Sequence, residues 1–127
     1  MSENLLQGNH RKPNYESIPS VVFNVPLWRQ WGFQNRLHGK LGFKFRVNQQ
    51  DTSSWYSSRR IAERYSGFKV LVEEPSGRIL GAHLLGPDAG ETVNIFALAI
   101  RKRLTTADLQ DAIFAYPTLV SDVVYMF

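Results

Sequence analysis

The side chains in this 127-residue sequence that titrate near neutral pH are three histidines, His10, His38 and His83. Histidine is the usual general acid or base at neutral pH and a common metal ligand. No second histidine, cysteine or carboxylate lies at metal-ligand spacing from His83, so we expect a structural histidine there. His10 and His38 lie in segments with weak structural patterns. The sequence therefore predicts no metal site.

Cysteine is absent from the chain, which excludes disulfides, thiolate metal sites and dithiol redox chemistry by this chain alone. The G-x-G-x-x-G fingerprint of dinucleotide-binding domains is absent as well. We therefore expect no bound cofactor and no catalysis from this chain by itself.

Aromatic and basic residues in the first half of the chain could form a stacking platform for single-stranded nucleic acid. The same residue types are enriched at protein interfaces. We favour core and interface roles, and we expect protein partners rather than nucleic acid. The residues concerned are Trp28, Trp31, Trp55, Tyr56, Arg59 and Arg60.

The formal net charge of +4 is unevenly distributed. Residues 1–66 carry ten Lys or Arg against four Asp or Glu, a net charge of +6, whereas residues 67–127 carry five against seven, a net charge of −2. A basic half is compatible with a nucleic-acid footprint, but we interpret it as a solvated surface.

The N-terminal residues 1–16 form a polar leader that we expect to be flexible, because it has little apolar surface to bury. It lacks the apolar core of a secretory signal. No apolar run approaches the ~20 residues of a membrane span, so we expect a cytoplasmic protein without membrane contacts.

The elements that must position these side chains begin with strands. Residues 20–25 form a β-branched run stopped by Pro26, and residues 43–47 alternate apolar and basic side chains. Between them, residues 27–41 give no regular pattern. Residues 68–73 and 78–84 predict a β-hairpin, because residues 74–77 supply the Pro and Gly of a turn.

Two helices follow the hairpin. Val93, Phe96 and Ile100 share one apolar stripe of the first helix, and Asp88 with Glu91 predicts a capping box at its start. Thr105 and Asp108 predict the start of the second helix, which should end near Ala115 ahead of Pro117. The tail, residues 119–127, is apolar enough to dock on the core.

This order of elements predicts an α+β domain over residues 17–127, with an antiparallel sheet of about four to five strands and helices packed on one face. Residues 77–86, 97–100 and 104–109, with the opening strand 18–23, resemble the C-terminal dimerisation domain of FAD-dependent pyridine nucleotide-disulfide oxidoreductases. Glutathione reductase, mercuric reductase and dihydrolipoamide dehydrogenase share that domain. The resemblance covers nearly everything outside the leader.

The resemblance implies a homodimer, formed through the sheet and helices of residues 67–127. Complete members of the family bind FAD and NAD(P) and carry a redox-active cysteine pair. Their dimerisation domain offers the partner a His-Pro-Thr motif, whose histidine is held by a following glutamate and shuttles protons. The corresponding stretch of this sequence begins at Tyr116 and places Ser121 at the glutamate position.

The chemistry of the motif is therefore changed here. A tyrosine, with an ordinary pKa of ~10, is a poor base at neutral pH. No catalytic residue is assigned, and Tyr116, Pro117 and Thr118 are kept as candidates for residues close to a flavin. Two hypotheses remain: a dimerisation module with no activity of its own, or part of a split or longer flavin-dependent oxidoreductase of cell redox homeostasis whose catalytic chain is supplied in trans. A basic nucleic-acid-binding module is a third, weaker alternative.

Overall fold

The computed structural model describes residues 44–127, together with residues 4, 8, 12, 19 and 20. The predictions for the leader (residues 1–16), the opening strand (residues 20–25) and the irregular segment (residues 27–41) therefore fall almost entirely outside the described residues. The described elements follow one another in the order β1 (Phe45–Asp51), α1 (Tyr56–Arg60), β2 (Gly67–Glu73), β3 (Ile79–Leu85), α2 (Ala89–Lys102), α3 (Thr106–Gln110) and a 3-10 helix (Val120–Tyr125).

The sheet is antiparallel, with β2 paired to β1 on one side and to β3 on the other. β2 and β3 form the predicted hairpin, and its turn holds Gly77 at a φ of 70°, which favours glycine. The sheet with its helices confirms the α+β prediction. The described residues contain three strands instead of the predicted four to five, and the predicted opening strand is not among them.

The core lies between one face of the sheet and α2. Phe68, Val70 and Val72 alternate along β2 and therefore point to the same face, where each is at most 1% exposed. They pack with Phe96 and Ala99 of α2. Removal of this apolar surface from water is the main source of stability for the arrangement.

The start of α2 differs from the prediction. Asp88 is the residue before the helix, as predicted, but its side chain makes no capping hydrogen bond. Its φ of 54° is left-handed, whereas side-chain capping uses an extended residue at this position. The backbone carbonyl of Asp88 accepts instead, from the N–H groups of Glu91 and Thr92. The predicted capping box between Asp88 and Glu91 was therefore wrong.

The start of α3 agrees with the prediction. The backbone N–H of Thr105 donates to Asp108 Oδ2 at 2.7 Å, and the N–H of Asp108 donates to Thr105 Oγ1 at 3.2 Å. These reciprocal bonds form a capping box and satisfy two N–H groups that the helix itself leaves free. They also hold the pKa of Asp108 below its ordinary value.

The end of α3 comes earlier than predicted, at Gln110 instead of near Ala115. Leu109 is its buried residue, and the following residues 111–113 are exposed. A helix this short depends on packing for its stability. Ala112 and Ile113, which would extend the apolar face of Leu109, are exposed and do not belong to the core. The tail is docked as predicted, since Val123 and Met126 belong to the core.

Candidate functional site

The predicted site residues lie on the segment that joins α3 to the 3-10 helix, residues 111–118, called here the exposed segment. Its side chains are exposed except that of Phe114, which packs against the core. Ile113 is 101% exposed and Tyr116 is 79% exposed. The Tyr116–Pro117 peptide bond is cis. The segment thus presents apolar and aromatic side chains outward.

Thr118 and Ser121 are joined in a turn that leads into the 3-10 helix. Thr118 Oγ1 donates to the carbonyl of Ala115 at 2.7 Å, and accepts from the N–H of Ser121 at 3.1 Å. Ser121 Oγ donates to the carbonyl of Thr118 at 2.5 Å. Ser121, at the position of the family glutamate, therefore stabilises this turn and does not hold Tyr116.

Sequence reasoning missed a carboxylate next to this turn. Asp122 Oδ2 accepts a hydrogen bond from Ser57 Oγ, which lies on α1. The two residues are 65 positions apart in the chain, so no local pattern could have revealed the contact. It joins α1 to the 3-10 helix and places α1 beside the exposed segment.

Two small clefts meet at Asp122. The smaller, of about 10 Å³, is lined by Tyr116, Pro117 and Thr118 together with Tyr56 and Arg60 of α1. The larger, of about 40 Å³, lies toward the start of α2 and is lined by hydroxyl groups that include those of Ser57, Ser58 and Ser66.

The two clefts are far too small to enclose a flavin, because cofactor-sized ligands occupy pockets of roughly 300–1,000 Å³. Tyr116, Pro117 and Thr118 are brought together beside a cleft, but they do not form a flavin site by themselves. The described residues at these two clefts therefore cannot enclose a flavin without a further contribution.

Among the described residues, Tyr116 has no partner for proton transfer. A general base must lie within hydrogen-bonding reach of the proton that it moves. Within the described residues, no side chain forms a hydrogen bond with the Tyr116 hydroxyl. What the exposed segment can do chemically is make contacts with another molecule.

His83 lies on β3, directly opposite Lys69 of β2. Burial lowers the pKa of His83, and the positive charge of Lys69 lowers it further. Burial also lowers the pKa of Lys69, which is 3% exposed. Among the residues that the structure describes, no group of three His, Cys, Asp or Glu side chains could hold a metal ion. His10 and His38 are outside those residues.

The structure separates the residues of the possible stacking platform, since one packs against the core and others are exposed. Trp55 packs against the core, with its ring 5.8 Å from that of Phe68 and 6.3 Å from that of Tyr125. Tyr56, Arg59 and Arg60 point outward instead. Trp28 and Trp31 lie outside the described residues. The helices of the described part include none that is long and apolar enough to cross a membrane.

Comparison with known proteins identifies relatives that match most of the chain. Residues 18–127 match the family described as the pyridine nucleotide-disulphide oxidoreductase dimerisation domain. The chain is 40% identical, over 126 residues, to an uncharacterised 19.7 kDa protein in a mercuric resistance operon of Staphylococcus aureus. The match covers 99% of this chain and 70% of that protein. Mercuric reductase of Shigella flexneri is 33% identical over 91% of this chain, but the match covers only 20% of the enzyme.

Solved structures agree on the fold. LpdA from Mycobacterium tuberculosis superposes with a TM-score of 0.76 at 16% identity, over 98% of this chain and 27% of LpdA. The flavoprotein disulfide reductase RclA from Escherichia coli superposes with a TM-score of 0.73 at 20% identity, over 98% of this chain and 29% of RclA. The chain thus spans a little more than a quarter of each of these two proteins.

The matched region contains the hairpin, both helices after it and the exposed segment. The family match extends over most of the chain. The match to the S. aureus protein extends over 126 residues, 99% of this chain. This chain belongs to the dimerisation-domain family of the pyridine nucleotide-disulphide oxidoreductases.

Proposed function

We propose that the chain forms a homodimer through the sheet and helices of residues 67–127. The observation that carries this proposal is the exposed segment, where Ile113 is fully exposed and Tyr116 nearly so. Exposed apolar side chains in a cluster mark sites of protein contact. Because the chain belongs to a family of dimerisation domains, the expected partner for this contact is a second copy of the chain.

The test is sedimentation of the purified chain at increasing concentration, compared with the Ile113→Glu variant. We expect a dimer for the natural sequence and a monomer for Ile113→Glu, since a carboxylate would be buried in the interface without a partner. The fold of the variant should be intact, because the Ile113 side chain makes no buried contact within the chain. Val47→Glu on β1 is the matched control, since Val47 is 41% exposed and lies outside residues 67–127.

A monomer for the natural sequence at tens of micromolar would contradict the proposal. A dimer that persists in Ile113→Glu would show that the exposed segment is not in the homodimer interface.

A second candidate function is pairing with a separate flavin-carrying chain, as part of an oxidoreductase active in cell redox homeostasis. It is favoured by the position of Tyr116, Pro117 and Thr118, which are exposed beside a cleft that cannot enclose a flavin alone. FAD and NAD(P) would then be held by the other chain, which would also supply the redox cysteines. We expect the purified chain to be colourless and inactive with NAD(P)H; visible flavin absorbance would contradict this.

We also propose that the chain acts in mercury resistance in the cytoplasm. The proposal is supported by the names of two relatives, the protein of a mercuric resistance operon and mercuric reductase. Deletion of the gene should lower the concentration of Hg²⁺ that stops growth, and cell fractionation should recover the chain in the soluble fraction. Unchanged mercury tolerance in the deletion strain would refute the role.

A further inference from the structure

The outer side of α1 forms a compact group with Tyr116, called here the arginine surface (Tyr56, Arg59, Arg60 and Tyr116). Ser57 and Ser58 face inward and are buried, so the remaining side chains of this short helix point outward. Tyr56 is 59% exposed and Tyr116 is 79% exposed. Tyr56, Arg60 and Tyr116 line the same small cleft, which shows that the group is contiguous.

Two hydrogen bonds on the buried side of α1 hold the arginine surface in place. Ser57 Oγ donates to Asp122 on the 3-10 helix, and Ser58 Oγ is 2.8 Å from Ser66 Oγ in a buried contact. These two contacts join α1 to both of its neighbours. A surface whose supporting side chains are already fixed loses less conformational freedom when it binds.

The guanidinium groups of the arginine surface have no ion-pair partner within the described part of the chain. Neither Arg59 nor Arg60 forms an ion pair or a side-chain hydrogen bond there. Two carboxylates lie nearby, that of Glu63 along the chain and that of Asp122 in the cleft, and each accepts its hydrogen bond from a neutral group instead of a guanidinium. Glu63 accepts from the N–H of Tyr65, and Asp122 accepts from Ser57.

We infer that the arginine surface binds an acidic segment of a protein other than this chain. Guanidinium groups bind carboxylates through paired, charge-assisted hydrogen bonds. Tyrosine and arginine are also the residue types that contribute most to binding at protein interfaces. The inference rests on the second candidate function, pairing with a separate chain, because Tyr116 belongs both to the arginine surface and to the exposed segment.

The surroundings favour a protein partner over nucleic acid. Ile61, which follows Arg60 in the chain, is 47% exposed, and the fully exposed Ile113 lies on the same exposed segment as Tyr116. Apolar side chains beside arginine and tyrosine are typical of protein interfaces. A second copy of this chain fits less well, since two such surfaces face to face would bring together four guanidinium groups that have no ion-pair partner.

The test measures binding of a fluorescein-labelled decaglutamate peptide to the full 127-residue chain by fluorescence anisotropy. The natural sequence should bind, and the double variant Arg59→Gln/Arg60→Gln should bind about tenfold more weakly or worse, as expected for the loss of close charge pairs. The control is Arg46→Gln/Lys102→Gln, which removes the same charge at two other exposed positions. Its affinity should change less than about twofold, because distant surface charges are screened.

Equal weakening in both double variants would mean attraction to net charge only and would overturn the inference. It would also be overturned if the peptide does not bind, or if an oligothymidine strand binds more tightly than the peptide and loses affinity in Arg59→Gln/Arg60→Gln. Sedimentation of the same variants separates this result from the homodimer proposal. If the Arg59→Gln/Arg60→Gln variant remains dimeric but no longer binds the peptide, the loss of binding can be assigned to the arginine surface and not to the homodimer interface.

Discussion

At the scale of single residues, the most informative position is His83. Its pKa lies below the ordinary value of 6.5 because of burial and the nearby charge of Lys69. As the pH falls below about 6.5, the unfolded chain takes up a proton at this residue before the folded chain does. The free energy of unfolding should therefore decrease as the pH falls through this range.

We predict that His83→Gln reduces this loss of stability between about pH 7 and pH 5. The measurement is urea denaturation at a series of pH values for both proteins. NMR titration of the His83 ring in the natural sequence should give a pKa below 6.5. Parallel stability curves for the two proteins would show that His83 is not the group responsible.

Tyr116 shows how far single residues could be interpreted from the sequence. Its type alone argued against a base at neutral pH, and the structure adds that no side chain hydrogen-bonds to it among the described residues. The role of Asp122 could not be predicted, because its partner Ser57 comes from a distant part of the chain. Local patterns identify candidate groups, whereas long-range contacts decide which groups meet.

At the scale of elements, the two helix starts give contrasting results. Thr105 and Asp108 form the predicted capping box. Asp88 and Glu91 have the same spacing, but Asp88 adopts a left-handed conformation after the turn at Gly86. A capping box depends on both side-chain types and an extended first residue, and only the side-chain types can be read from sequence.

We predict that Thr105→Ala lowers the free energy of unfolding by about 1 kcal/mol, the usual effect of losing an N-cap side chain. Gln110→Ala at the exposed end of α3 is the control, and should change stability by less than about 0.5 kcal/mol. Chemical denaturation of the three proteins at one pH measures both effects. Equal stability of Thr105→Ala and the natural sequence would show that the capping box contributes nothing to α3.

The contact of α2 with the sheet permits a larger prediction. Phe96 is 1% exposed and packs in the core, so Phe96→Ala should reduce stability by about 3–5 kcal/mol through lost burial and a cavity. Leu98 lies on the same helix but is 54% exposed, and Leu98→Ala should cost less than about 1 kcal/mol. Thermal unfolding should rank the variants in this order, and similar losses in both would contradict the assigned packing of α2.

At the scale of the whole molecule, the strand runs at residues 68–73 and 78–84, the turn between them and the apolar stripe of α2 were sufficient to predict an α+β domain. The predicted number of strands, four to five, differs from the three that the structure describes, because the predicted opening strand lies outside the described residues. The predicted end of α3 near Ala115 was also wrong. Pro117 marked only the latest possible end, whereas the helix ends at Gln110 and the next three residues are exposed.

The proposed homodimer makes a prediction about the stability of the molecule as a whole. If folding and association are linked, the melting temperature should rise with protein concentration. We expect such a rise for the natural sequence and none for Ile113→Glu, measured by calorimetry over a hundredfold range of concentration. A melting temperature independent of concentration in both proteins would contradict a dimer that stabilises the fold.

The exposed segment has a consequence for how this protein can change over generations. Because Phe114 is its anchored side chain and the others point outward, substitutions at residues 112, 113, 115 and 116 are almost free of consequences for folding. Selection on those four positions can then come only from whatever touches them. A library randomised there and sorted for binding would recover the preferences of the partner directly, with folding contributing little to the choice of survivors.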